Sequence, residues 1–230
     1  MRSDSMQKTK NLLMTVMVLC AVLLWGCGRK SAGDNVLLQV GSQSVRLSEF
    51  QRDVEAAAEE AFPGEREPNP DSLNDLRIRV LNQLTEELII CEYAGGLGLE
   101  VTDAELDKAV QAIKSDYPDK TFEETLLENA VSFQIWQQKL ARRLLVEKVI
   151  TKELVDRVEI TTEDVAEYYK THYAQGPPAD QSEQELNMKI ITHLRQQKAE
   201  KMYQGWIDGL RKSYPVSVNQ KQWDALVRGN

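Results

Sequence analysis

Apolar positions recur at three- and four-residue steps through most of this chain, and strict alternation survives only in two short runs near its ends. The longest helical pattern opens at Ser182-Glu183-Gln184-Glu185, whose spacing predicts a capping box. Leu186, Ile190, Ile191, Leu194, Met202, Tyr203, Trp206, Ile207 and Leu210 then form one stripe, interrupted by Arg195-Gln196-Gln197-Lys198. The interruption predicts a helix packed against two different neighbours. Pro215 ends it, and Val216-Ser217-Val218 reads as a very short strand.

Earlier residues supply what must cover that stripe and pair that strand. Val36–Val40 and Ser44–Leu47 read as a hairpin turning at Gly41-Ser42-Gln43. A helix capped by Ser48 runs to about Phe62, and Pro63-Gly64 and Pro68-Asn69-Pro70 read as a loop. A second helix spans about Ser72 to Ala94, with Leu73, Leu76, Val80, Leu84, Leu88 and Cys91 on one face and glycines 95, 96 and 98 at its end. A third opens at Thr102 and stops before Tyr117, and Thr121 caps a fourth reaching Asn129. Ser132 starts a fifth carrying Phe133, Trp136, Leu140, Leu144, Leu145 and Val149. Val158–Ile160 breaks away extended, Thr161 starts a sixth, and Ala174–Gln181 is a loop before the last. The expected fold is mostly α, about seven helices with a small β element joining the N- and C-terminal ends.

The first residues depart from this pattern. Lys8 and Lys10 precede an apolar run, Asn11–Trp25, that ends at Gly26-Cys27. That is the layout of a secretory signal whether translation starts at Met1 or Met6, and the run is short for a spanning helix. Leu24-Trp25-Gly26-Cys27 resembles a bacterial lipobox, which implies a lipid-modified Cys27 as the mature N-terminus. Residues 1–26 then form a lipoprotein signal peptide, 27–35 a tether of roughly 30 Å reach, and 36–230 the folded core. Gly28 is not the aspartate that retains lipoproteins in the inner membrane, so the resemblance favours the outer membrane, with the core facing the periplasm.

With 42% hydrophobic and 28% charged residues the composition is that of an ordinary globular chain, and its net charge is −8. The first 26 residues carry three basic side chains and one acidic, so their removal leaves −10. Such a charge disfavours nucleic acid and anionic lipid as partners. Of three cysteines, Cys20 leaves with the signal and Cys27 carries lipid, so Cys91 stands alone as a buried structural thiol without a disulfide. Two histidines, His172 and His193, provide no metal spacing, and no nucleophile elbow or phosphate loop is present. Neither a cofactor nor a metal is expected. The many carboxylate pairs, such as Glu86-Glu87 and Glu123-Glu124, read as solvated helix faces.

Several stretches in order resemble the SurA-like and PrsA-like extracytoplasmic chaperones. They are Val36–Phe50, Val80–Leu88, Leu97–Leu106, Phe122-Glu123-Glu124 with Trp136, Leu144–Lys148, Ile160–Val165 with Tyr168-Tyr169, and Arg195–Asn219. In many such relatives a parvulin prolyl-isomerase domain lies between the Tyr-Tyr helix and the closing helix. Here only Ala174–Gln181 separates them, and the paired parvulin histidines have no counterpart. The resemblance therefore implies a non-enzymatic, ATP-independent holdase whose partners are unfolded or partly folded exported polypeptides. Two alternatives stay open: an accessory lipoprotein gripping one envelope or secretion partner, and a residual prolyl isomerase. Client contact is expected from apolar surface, with Trp136, Tyr168, Tyr169, Met202, Tyr203 and Trp206 as candidates, although core packing competes for each.

Overall fold

The computed structural model describes residues 35–65, 68–118, 121–173 and 182–228. The expected signal, Cys27, most of the tether and the loop 174–181 lie outside the described residues. From Leu37 onward the chain packs as one unit, Leu37–Asn230.

Strand β1 (Val36–Val40) is the central strand of a three-stranded sheet ordered β2-β1-β3. Its antiparallel partner β3 (Val216–Val218) comes from the far end of the chain, in the register Leu38↔Val218, Gln39↔Ser217 and Val40↔Val216. The expected joining of the two ends is therefore present. Leu37, Leu38 and Val40 are fully buried beneath the helices. Gly41 turns the chain at φ +55°, a left-handed conformation that glycine adopts without strain. The next residue, Ser42, donates its backbone N–H (3.0 Å) and its hydroxyl (2.7 Å) to the Glu92 carboxylate. The hairpin tip is thereby pinned to a helix fifty residues on.

Strand β2 (Gln43–Arg46) runs directly into α1 (Leu47–Ala61). The expected cap at Ser48 does not form. Arg46 holds the N-cap position with ψ 154°, so Ser48 already lies in the first helical turn with its side chain exposed. The helix α2 (Pro70–Gly96) also starts earlier than its apolar pattern implies. Asn69 accepts from the Asp71 N–H at 2.9 Å, and Pro70 takes the first helical position, where a missing N–H costs nothing. Toward its C-terminal end α2 is buried on more than one side, at Leu88, Ile89, Ile90, Cys91 and Ala94. It ends in a Schellman turn: Leu99 N–H bonds Ala94 O, Gly98 N–H bonds Gly95 O, and Gly98 has φ +63°.

Helix α3 (Asp103–Ser115) begins with the expected Thr102–Glu105 capping box. In α4 (Thr121–Glu128) the Thr121 hydroxyl donates to Pro118 O at 2.6 Å. Ser132 caps α5 (Phe133–Glu153), which passes through a 3-10 turn, Val155–Arg157. Helix α6 (Thr162–His172) follows a second capping box, and α7 (Glu183–Ser213) a third, at Ser182–Glu185. An eighth α-helix among the described residues, α8 (Gln220–Arg228), follows β3 and lies beyond the elements expected from periodicity. Asn219 caps it, and Trp223 sets its ring edge-on to Phe50, 6.0 Å between centroids.

Three separate hydrophobic clusters result. The largest joins the sheet to α1, α2, α5, α8 and the C-terminal half of α7, where Ile207 is fully buried. A small one at the joint contains Leu154, Val158 and Ala199. The third contains Leu186, Ile190 and Leu194 from the N-terminal half of α7, covered by α6. The Arg195–Lys198 interruption falls between the two faces of α7, as its polarity requires.

Candidate binding surface

The six apolar side chains expected to touch a client fall in separate places. Tyr203 and Trp206 are half-buried where α7 crosses the core, and Trp206 meets Tyr93 edge-on at 6.2 Å. The Tyr203 hydroxyl donates to Glu86 at 2.9 Å, and the same carboxylate receives Arg211 at 2.6 Å. Burial and that bond to a carboxylate both push the Tyr203 hydroxyl above the ordinary phenol range. These are the marks of a structural side chain. Tyr168 and Tyr169 are half-buried against Leu186, Ile190 and Leu194, and Tyr168 also stacks on His172 at 3.9 Å and approaches His193 at 5.3 Å. Met202 stands 52% exposed on the outer side of α7.

Trp136 is placed differently. It is half-buried and edge-on to Phe122 at 4.8 Å, while Phe133 stacks on it at 5.6 Å. Tyr117 closes the group against Phe122 at 5.5 Å, and the Lys114 ammonium lies 5.1 Å from the centroids of both Phe122 and Phe133. Only Phe122 of these rings is buried; Phe133 is 41% exposed, Tyr117 37%, and Leu127 on α4 79%. Rings grouped and partly exposed this way signal a contact surface, and Leu127 is a separate exposed position on α4. Phe133, Tyr117 and Leu127 are not among the candidates drawn from sequence. The available signal is Phe133 directly after the Ser132 cap, where a first-turn side chain has no preceding turn to cover it.

Trp136 also lines a cleft of about 480 Å³ between α1, α2 and α5. Val80, Leu84 and Leu140 give its lining buried apolar side chains, Ala56 and Ala57 small ones, and Gln83 and Glu87 polar ones. Two ion pairs join α1 to α5 here, Asp53 with Lys139 and Glu49 with Arg142 (3.2 Å). The volume is that of a small-ligand pocket, and its wall continues through Trp136 into the exposed aromatic group.

Nothing else in the described residues assembles reactive chemistry. No group of three His, Cys, Asp or Glu there could hold a metal ion. Cys91 is buried, and burial pushes its thiol up to about 11, so it is protonated and inert at neutral pH. No helix among the described residues is long and apolar enough to cross a membrane.

Comparison with known proteins adds to this geometry. A family model described as the SurA-like N-terminal domain matches residues 3–150. The chain is similar to the protein named Chaperone SurA from Hahella chejuensis, 26% identical over 165 residues, covering 70% of this chain and 38% of that relative. It is 23% identical over 160 residues to the Chaperone SurA of Legionella pneumophila (strain Lens), covering 68% of this chain and 37% of the relative. The chain thus matches less than two fifths of the length of these curated relatives.

Proposed function

Because this chain belongs to the SurA-like N-terminal domain family, we propose that it is an ATP-independent chaperone that holds unfolded exported polypeptides at the cell envelope. The observation that carries the reading is the exposed aromatic group Tyr117–Phe133–Trp136 opening onto the α1–α2–α5 cleft. Covering one exposed Phe or Leu there contributes on the order of 1 kcal/mol. Three such contacts total roughly 3 kcal/mol, less than the about 4 kcal/mol that corresponds to a 1 mM Kd. A client must therefore engage several patches at once, and it leaves when folding withdraws its apolar residues. This suits a holdase with no energy source.

In this proposal residues 1–26 are a signal peptide, Cys27 carries the lipid, 27–35 tether the core, and 36–230 form the chaperone unit facing the periplasm, on the outer membrane by the identity of Gly28. The protein works by binding alone: the eight residues 174–181 between Tyr173 and Ser182 are too few for a parvulin domain. Cys27→Ala should leave uncleaved precursor or release the protein from membranes, and wild-type processing and fractionation of that variant refute the anchor.

The test of the chaperone reading is suppression of aggregation of two unrelated clients, thermally unfolded citrate synthase and reduced insulin. Phe133→Ser and Leu127→Ser should weaken suppression in graded, additive steps. His172→Gln with His193→Gln should leave it nearly unchanged. If the histidine variant loses activity while the apolar-surface variants keep it, a specific site is at work and the holdase reading fails.

A further inference from the structure

Helix α6 is fastened to the rest of the protein lightly. Among the described residues its apolar contacts are made with one three-residue cluster on α7, Leu186, Ile190 and Leu194, and that cluster is separate from the main core. Between them lies only the small joint of Leu154, Val158 and Ala199. The chain enters α6 through an extended stretch, 158–160, that belongs to neither helix nor sheet. Among the described residues one ion pair spans α6 and α7, Lys198 to Asp164 at 2.6 Å, and the same ammonium reaches Glu159 O at 3.4 Å. Three residues before Lys198 on α7, the Arg195 Nε–H is buried and finds no hydrogen-bond partner among the described residues. A buried donor without a partner raises the free energy of the closed arrangement.

We propose that α6 opens away from the N-terminal half of α7 as a separate unit, and that opening presents Leu186, Ile190 and Leu194 to a client polypeptide. Closed, these three side chains are 2–8% exposed and unavailable. Open, they form a continuous strip at i, i+4 and i+8 on one face of α7, flanked by Tyr168 and Tyr169 on the face of α6 that leaves them. Local opening across a small, separate cluster requires less free energy than global unfolding. The joint at Ala199 and the core at Ile207 keep α7 in place. The proposal rests on the chaperone reading and adds a regulated grip to it: a client that binds the strip competes with α6, so affinity is set by the ease of opening.

Two substitutions on α7 move the equilibrium in opposite directions. Lys198→Met removes the ionic fastening and favours the open arrangement; Arg195→Met removes the unpaired donor and favours the closed one. The experiment combines hydrogen exchange on the full chain with binding of reduced, carboxymethylated α-lactalbumin. Amides of residues 163–172 should exchange faster than those of 80–94 in wild type. Lys198→Met should speed the former at least threefold and lower Kd at least twofold. Arg195→Met should do the reverse, and amides 80–94 should not respond to either. Equal protection of the two segments in wild type overturns the proposal, as does a change in exchange with Kd fixed in both variants while wild type binds. A wild-type protein that binds no client overturns the chaperone reading and this one with it.

Discussion

Stopping the chain after Pro215 removes β3 and α8, and the consequence should reach the whole molecule. Three half-buried side chains go with them, Val218, Trp223 and Leu226, all packed on the main cluster. Half of the usual burial value is about 1 kcal/mol each, or roughly 3 kcal/mol together. The edge-to-face contact of Trp223 with Phe50 adds about 1 kcal/mol. Leu38, Val40 and Phe50, now at most 1% exposed, lose cover on one side for roughly another 1 kcal/mol. The sum is about 5 kcal/mol, against the roughly 5–15 kcal/mol that holds a typical domain together. Urea unfolding followed by tryptophan fluorescence and circular dichroism measures it. With a slope of roughly 2–3 kcal/mol per molar, the midpoint should fall by about 2 M, with the two probes still moving together. A midpoint within about 0.5 M of the intact chain would refute the view that the two termini close one cooperative unit.

Smaller perturbations test other parts of the fold. Gly41→Ala forces a side chain into a left-handed position where its Cβ overlaps the Glu92 carboxylate, so stability should drop by more than the roughly 1–2 kcal/mol of the backbone penalty alone; an unchanged melting temperature contradicts this. Bonds from Lys148 and Thr102 hold the Glu105 carboxyl down at about 2. The stability it contributes is therefore complete above the ordinary glutamate range and lost as pH falls from about 4.3 through about 2. Lys148→Met should move the Glu105 carbon titration back up, and NMR detects whether it stays low. Native Cys91 should resist a thiol reagent at pH 8 and react fully in guanidinium, and rapid labelling of the folded protein would show that it is not enclosed.

The stretch Ser182–Ser213 is legible in the sequence because an unbroken helical period leaves few alternatives, and the charged gap at Arg195–Lys198 reveals that its two halves face different partners. Val216-Ser217-Val218 can be paired with β1 because so short an alternation cannot stand alone. Capping signals are less decisive where two compete. Ser48 has the right spacing, but β2 and α1 join without a break, so the helix starts ahead of it. Asn69-Pro70 reads as a loop because prolines cluster there, although Pro70 suits the first turn of α2. The last helix escapes periodic reading although Asn219, Trp223, Leu226 and Val227 carry a cap and a one-turn stripe. Nine residues give periodicity too little length. What fixes α8 is tertiary: Phe50 on one side and the Asn74 amide bonding Val227 O at 3.2 Å on the other.

The candidate surface is harder to read than the fold for a reason of the same kind. Residue type ranks Trp206, Tyr203 and Trp136 together as large, adaptable contact makers. Exposure separates them, and exposure depends on which helix crosses above. Tyr203 and Trp206 lie where α7 meets Glu86 and Tyr93 of α2, a crossing that no spacing within α7 announces. Phe133 escapes cover because it begins its helix, and Leu127 because α4 is only eight residues long and already spends its inward face on Phe122. Two of the exposed side chains thus sit at element ends, Tyr117 after α3 and Phe133 at the start of α5, where periodic reading is weakest, while Met202 is exposed mid-helix on α7. On the proposed chaperone reading that placement spares the fold: Phe133→Ser or Leu127→Ser removes contact area while leaving every residue of the main cluster in place.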